Sequence, residues 1–111
     1  MDEIILVLTN LPDRASAQRV ADAAIESRAA ACINILAECN SVYRWQGKIE
    51  TASEVPLLIK ATRAAYPRLE AIIRAHHPYE LPEIIAVPLV TGFPGYLQWV
   101  AQETQASGKQ E

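Results

Sequence analysis

Apolar positions recur along this chain with two periods, and the switches between them mark the elements. Ile4-Ile5-Leu6-Val7-Leu8 is a short β-branched run ending at the turn-rich Thr9-Asn10-Leu11-Pro12-Asp13, which predicts a strand. Ala17, Val20, Ala21, Ala24 and Ile25 then fall on one helical stripe, with Arg14, Gln18, Asp22 and Glu26 facing outward. Asp13 or Ser16 is the expected N-cap, since either side chain can accept from the free N–H groups of a first turn.

Cys32 to Leu36 returns to an extended apolar pattern and leads through Ser41-Val42-Tyr43-Arg44-Trp45 to Gln46-Gly47-Lys48. The expectation is a long second strand, a hairpin turn containing Gly47, and a long third strand from Ile49 to Thr62. Val55, Leu57 and Ile59 alternate with Pro56, Leu58 and Lys60, the period of a strand. Pro56 has no N–H to donate, so an edge or a bulge is expected beside it.

A second helical stripe runs from Ala65 or Tyr66 through Leu69, Ile72 and Ile73 to His76, and Pro78 stops it. Glu83 to Val90 predicts a last strand that carries Pro88 near an edge. Gly92-Phe93-Pro94-Gly95 is a turn, and Tyr96, Trp99, Val100 and Glu103 suggest a short terminal helix. Residues 106–111 read as a frayed tail.

The order β-α-β-β-α-β-α is the split βαβ, or ferredoxin-like, arrangement: an α+β fold with an antiparallel sheet and both crossover helices on one side. The strands are apolar at consecutive positions, whereas a sheet wet on one face should alternate. Two helices cannot cover two faces. The expected cover is another copy of the chain.

With 111 residues, 50 % apolar and 21 % charged, the chain has the composition of one ordinary folded domain. Its formal charge of −3 offers no long-range attraction to phosphate backbones, so nucleic acid is not an expected partner. No apolar run approaches the roughly 20 residues of a membrane-spanning helix. The acidic opening Met1-Asp2-Glu3 is unlike a signal peptide, and a cytoplasmic location is expected. Cys32 and Cys39 lie seven apart, which on one unbroken strand means opposite faces and about 23 Å at ~3.3 Å per residue. A bulge would alter the face, not the distance, and a disulfide between them is not expected.

The candidate chemistry is concentrated in His76-His77-Pro78-Tyr79-Glu80-Leu81-Pro82-Glu83, which holds both histidines of the chain. Adjacent histidines point apart on a helix. A Cu(II) or Zn(II) ion would therefore need further ligands from Glu80, Glu83, Cys39 or a neighbouring subunit. The structural alternative packs His76 on the helix stripe and sets His77 against carbonyls at the helix C-terminus. Trp45 and Tyr43 share a strand face and suit either an oligomer interface or the floor of a pocket. Lys60 is either a solvated strand end or a group facing an anion in a cleft. No Gly-rich phosphate loop, paired-cysteine motif or Gly-x-Ser-x-Gly elbow occurs, and no enzyme activity is expected.

Tyr43-Arg44-Trp45-Gln46-Gly47-Lys48-Ile49-Glu50, Leu57-Leu58-Ile59-Lys60 and above all His76 to Glu83 closely resemble the CutA divalent-cation tolerance family. Ala29-Ala30-Ala31-Cys32-Ile33-Asn34 and Tyr96-Leu97-Gln98-Trp99 agree as well, so the resemblance spans nearly the whole of residues 1–111 as one CutA-like domain. It implies a ferredoxin-like subunit in a PII-like homotrimer, whose long hairpins extend between subunits. It also implies a cytoplasmic role in tolerance of divalent metals, with no required cofactor and with copper or a similar divalent cation as ligand. The family's paired histidines match His76 and His77. A cysteine implicated in copper binding in some members, at the end of the first strand, is replaced here by Leu8 or Thr9, which removes the softest ligand. Pro56 is a second departure, in a strand that is usually uninterrupted. The likeness to PII signalling trimers further suggests an inter-subunit cleft lined by Trp45, Lys60, Tyr79 and Glu83, able to hold a small ligand or a partner.

Overall fold

The computed structural model describes residues 3–105, and the tail expected at 106–111 lies outside them. Strand β1 (Ile4–Leu11) is followed by α1 (Arg14–Glu26), β2 (Cys32–Ile35), β3 (Cys39–Trp45), β4 (Lys48–Thr62), α2 (Tyr66–His76), β5 (Ile84–Pro88) and α3 (Pro94–Glu103). All strand pairs are antiparallel, in the order β2-β4-β1-β5, with β3 on the far half of β4. This is the α+β, ferredoxin-like order expected from the sequence, with one correction: the long second strand is broken in two.

The break has a local cause. Between the pairs Ile35↔Leu57 and Cys39↔Glu54, one strand advances four residues while the other advances three, so one extra residue is accommodated. Leu36 N–H donates to the carbonyl of Pro56 at 3.0 Å, but Pro56 has no N–H to return the bond. The interruption falls where the ladder already lacks a donor. It also corrects the expected placement of the cysteines. Cys32 pairs with Lys60 and Cys39 with Glu54, both even positions of β4, so the two free thiols share a face.

The hairpin between β3 and β4 closes through Gln46 and Gly47, both at positive φ (50° and 81°), with Trp45 opposite Lys48. Positive φ at both central residues is the two-residue turn whose twist matches the flanking strands. Asp13 caps α1 by accepting from Ser16 N–H at 2.8 Å, resolving the choice between the two expected caps. Proline stands in the first turn of both α2 and α3, where a missing N–H costs no helical bond.

Odd residues of β4 and β1 form the core. Val55, Leu57 and Ile59 with Val7 and Leu11 pack against Val20 and Ala24 of α1 and Leu69 and Ile73 of α2. Even residues face the other way. Helix α3 reaches this second face toward the Ile4–Thr62 end, where Thr104 Oγ1 donates to the Val100 carbonyl at 2.9 Å and lies 3.3 Å from Thr62 Oγ1. The remainder, including Leu6, Leu8 and Leu58, is only half-buried, and Ile85 and Val87 on β5 are 51 % and 44 % exposed. An uncovered apolar sheet face is the arrangement expected from the strand pattern. None of the helices among the described residues is long and apolar enough to cross a membrane.

Candidate functional site

The segment after α2 is shaped by Pro78, which forces His77 out of the helical region to φ −86° and ψ 130°. The turn swings the His77 ring inward to 7 % exposure. Its Nε2–H donates to the Asn10 carbonyl at 2.7 Å, and its Nδ1 accepts the Tyr79 N–H at 3.2 Å. A backbone N–H can only donate, so Nδ1 must be unprotonated and the ring is the neutral Nε2–H tautomer. Burial lowers its pKa, partly opposed by the Asn10 carbonyl and the nearby Glu54 carboxylate. The ring also packs on Tyr79, with centroids 4.8 Å apart.

His76 behaves differently. It is the last residue of α2, exposed, with Nδ1 2.9 Å from the Ile72 carbonyl one turn back. A carbonyl only accepts, so Nδ1 carries the proton and Nε2 presents its lone pair outward, the arrangement that orients a metal-ligating imidazole. The adjacent histidines therefore do not converge. Among the described residues no three His, Cys, Asp or Glu side chains come together as a cation site. A divalent ion at His76 Nε2 fits as a one-ligand attachment that needs further donors from water or another molecule. Glu80, Glu83 and Cys39 do not complete it within the chain.

What the loop does build is a cavity of about 630 Å³ against the base of the hairpin. Tyr43, Trp45 and Tyr79 line it together with Asn10, Glu54 and Glu83. Tyr43 and Trp45 sit on the odd face of β3, opposite Glu50 and Lys48 of β4, and so share the face of Glu54 that points away from α1 and α2. Tyr79 Oη donates to Glu54 Oε2 at 3.0 Å. Burial and this carboxylate push the Tyr79 pKa up to about 12, so the phenol remains a donor at neutral pH. The Asn10 amide nitrogen lies 3.4 Å from both Glu54 Oε1 and Glu83 Oε1.

Of the four residues expected to line a common cleft, Trp45, Tyr79 and Glu83 do so and Lys60 does not. Lys60 stands six residues from Glu54 along β4, about 20 Å at ~3.3 Å per residue. It is not a solvated strand end either. It sits mid-sheet between Leu6 and Cys32, and its ammonium donates to Asn34 Oδ1. The cavity lining therefore contains Glu54, Glu80 and Glu83 without a lysine or arginine, the wrong sign for an anion. Glu54 and Asn10 escaped the sequence reading. A carboxylate before an alternating strand looks solvent-facing until a loop 25 residues away folds over it.

Residues 5–103 match the CutA1 divalent ion tolerance protein family. The chain belongs to this family. The divalent-cation tolerance protein CutA of Thermus thermophilus is 40 % identical over 94 % of this chain and 99 % of that protein. Its solved structure superposes with a TM-score of 0.90, covering 92 % of this chain and 99 % of that one. The CutA structure from Xylella fastidiosa gives the same score at 40 % identity, covering 93 % of this chain and 99 % of its own. Mouse CutA is 43 % identical over 86 % of this chain, but the match spans only 54 % of the mouse protein. Relatives are named for different compartments: one from Arabidopsis thaliana is chloroplastic, and a structure from Archaeoglobus fulgidus is described as periplasmic.

Proposed function

We propose that this chain acts as a homotrimeric binding protein in divalent-cation tolerance, taking up copper or a similar divalent ion through His76, the exposed member of the His76-His77 pair, without catalysing a reaction. Family membership supports the tolerance role. The observation that carries the ligand assignment is the outward Nε2 of His76, held in the ligating tautomer by its bond to the Ile72 carbonyl. His77 joins it only by giving up its bond to Asn10 or to Tyr79. The half-covered apolar face supports self-association, because leaving Leu6, Leu8, Leu58, Ile85 and Val87 in water forfeits about 25 cal/mol per Å².

Calorimetry with Cu(II) on the wild type, on His76→Ala and on the double His76→Ala/His77→Ala variant tests the assignment. Affinity is expected to fall at least tenfold in His76→Ala, with sedimentation unchanged. Equal affinity in the wild type and the double variant would remove both histidines from the site.

A second reading is favoured by the cavity: a PII-like sensor or adaptor holding a small molecule or a partner there. Trp45, Tyr79 and Glu83 support this reading, and the position of Lys60 outside the cavity narrows the ligand.

A further inference from the structure

We propose that α3 is a releasable strap, latched across the end of the sheet by Arg28 and Arg68. The C-termini of α1 and α3 meet there, which brings together two carbonyl-rich helix ends of the same partial charge. Arg68 of α2 bridges them. At the end of α1 its guanidinium donates to the Ser27 carbonyl at 3.2 Å and to the Arg28 carbonyl at 3.4 Å. At the end of α3 it donates to the Thr104 carbonyl at 3.3 Å. Arg28 completes the latch, donating to the Gln102 carbonyl at 3.3 Å with the Glu103 carboxylate 3.5 Å away. The planar fork of a guanidinium suits carbonyls on two helices in a way that one compact ammonium does not.

The backbone at Arg28 shows that its side chain is there for α3. Helix α1 ends in a Schellman arrangement, with Ala29 N–H donating to the Ala24 carbonyl and Arg28 N–H to the Ile25 carbonyl, both at 3.0 Å. That motif sets Arg28 at φ 63°, the left-handed region that glycine occupies without strain. Arg28 Nε is also buried with no hydrogen-bond partner among the described residues. Both features cost free energy, and the contact with α3 is what offsets them. Apart from the latch, α3 is anchored away from the main core. Its buried residue Val100 lies outside the cluster of Val7, Leu57, Ile59, Leu69 and Ile73, and Phe93 at its start makes no side-chain cap bond. A helix attached in this way opens at lower free energy than the whole fold. These contacts lie within one chain, at the end of the sheet opposite the β3–β4 hairpin, so they stand whatever covers the second face.

Amide hydrogen exchange on the full chain, at one protein concentration throughout, tests the strap. In the wild type, residues 98–103 should exchange at least tenfold faster than residues 57–61 of β4, each relative to its intrinsic rate. Arg68→Ala should accelerate residues 98–103 by about a further tenfold, through the loss of three hydrogen bonds. Arg28→Gly eases the turn after α1 yet removes the second half of the latch, and should accelerate the same amides several-fold. Ile73→Ala weakens the main core and should accelerate residues 57–61 while leaving residues 98–103 unchanged. Should Arg68→Ala misfold by circular dichroism, Arg28→Gly alone decides for or against the latch. Exchange of residues 98–103 unchanged by the arginine substitutions would overturn the latch, because other contacts, those of a sister copy included, would then hold α3. Equal acceleration of both segments in Ile73→Ala would overturn the strap, because α3 would then open only with the whole fold.

Discussion

His77→Ala is expected to behave as a stability variant rather than as the loss of a metal ligand. The wild-type ring makes two hydrogen bonds with the backbone, Nε2–H to the Asn10 carbonyl at 2.7 Å and Nδ1 from the Tyr79 N–H at 3.2 Å. Each contributes about 1 kcal/mol net, and more if the stranded backbone group stays out of water. Truncation also removes a ring that is 7 % exposed and packed on Tyr79, opening a void beneath the loop. The sum is about 2–4 kcal/mol. With a urea slope of roughly 1.5–2 kcal/mol per M for a chain of this size, the midpoint should fall by about 1–3 M. Wild type and variant must be compared at equal protein concentration, because the proposed self-association would make the midpoint concentration-dependent. His77→Gln can restore one of the two bonds and should recover about half of the loss. In the same preparations, His76→Ala should lower Cu(II) affinity while moving the urea midpoint by less than about 0.3 M, since its ring is exposed. An unchanged midpoint in His77→Ala, combined with a copper affinity as poor as that of His76→Ala, would refute the reasoning. It would mean the ring is not fixed beneath the loop.

Three further outcomes follow from the same structure. Burial lowers the His77 pKa, so the unfolded chain binds the proton more readily; stability should be full above the ordinary value of about 6.5 and decline as pH falls below it. Urea midpoints measured from pH 7.5 to 5.5 should show this decline flattened in His77→Gln, and a midpoint that rises on acidification would contradict it. Ile85→Asp puts a charge on the uncovered sheet face and should turn the assembly into monomers by sedimentation with the circular dichroism retained; a wild type that sediments as a monomer would count against the assembly itself. Leu69→Ala, at a fully buried α2 position, should cost about 2–5 kcal/mol in urea unfolding and leave Cu(II) affinity per folded protein unchanged.

The elements of this fold were written locally. The stripe from Ala17 to Ile25 and the alternation from Val55 to Lys60 each carry one period, and a period needs no distant partner to be recognised. The boundaries were less legible. Helix α3 starts at Pro94, two residues before its apolar stripe, because proline suits a first turn. The division into β2 and β3 was announced only by the lone Pro56 on the strand opposite, because a register offset belongs to a pair of strands.

Chemistry separated more sharply. Along the sequence, His76 and His77 form one motif, and the family resemblance groups Lys60 with Trp45, Tyr79 and Glu83. Folding divided the histidines into an outward ring bonded to its own helix and an inward ring bonded to β1 and to its own loop. It sent Lys60 to the middle of the sheet and brought Glu54 and Asn10 to the cavity instead. Periodicity along the chain thus determined the elements, their order and the apolar face left over, since hydrophobic burial responds to which side of an element a residue occupies. Register and loop closure decided the direction of each imidazole, the sign of charge in the cavity and the shared face of the cysteines. These depend on contacts between residues up to 73 positions apart, such as Asn10 with Glu83, and no short stretch of chain encodes them.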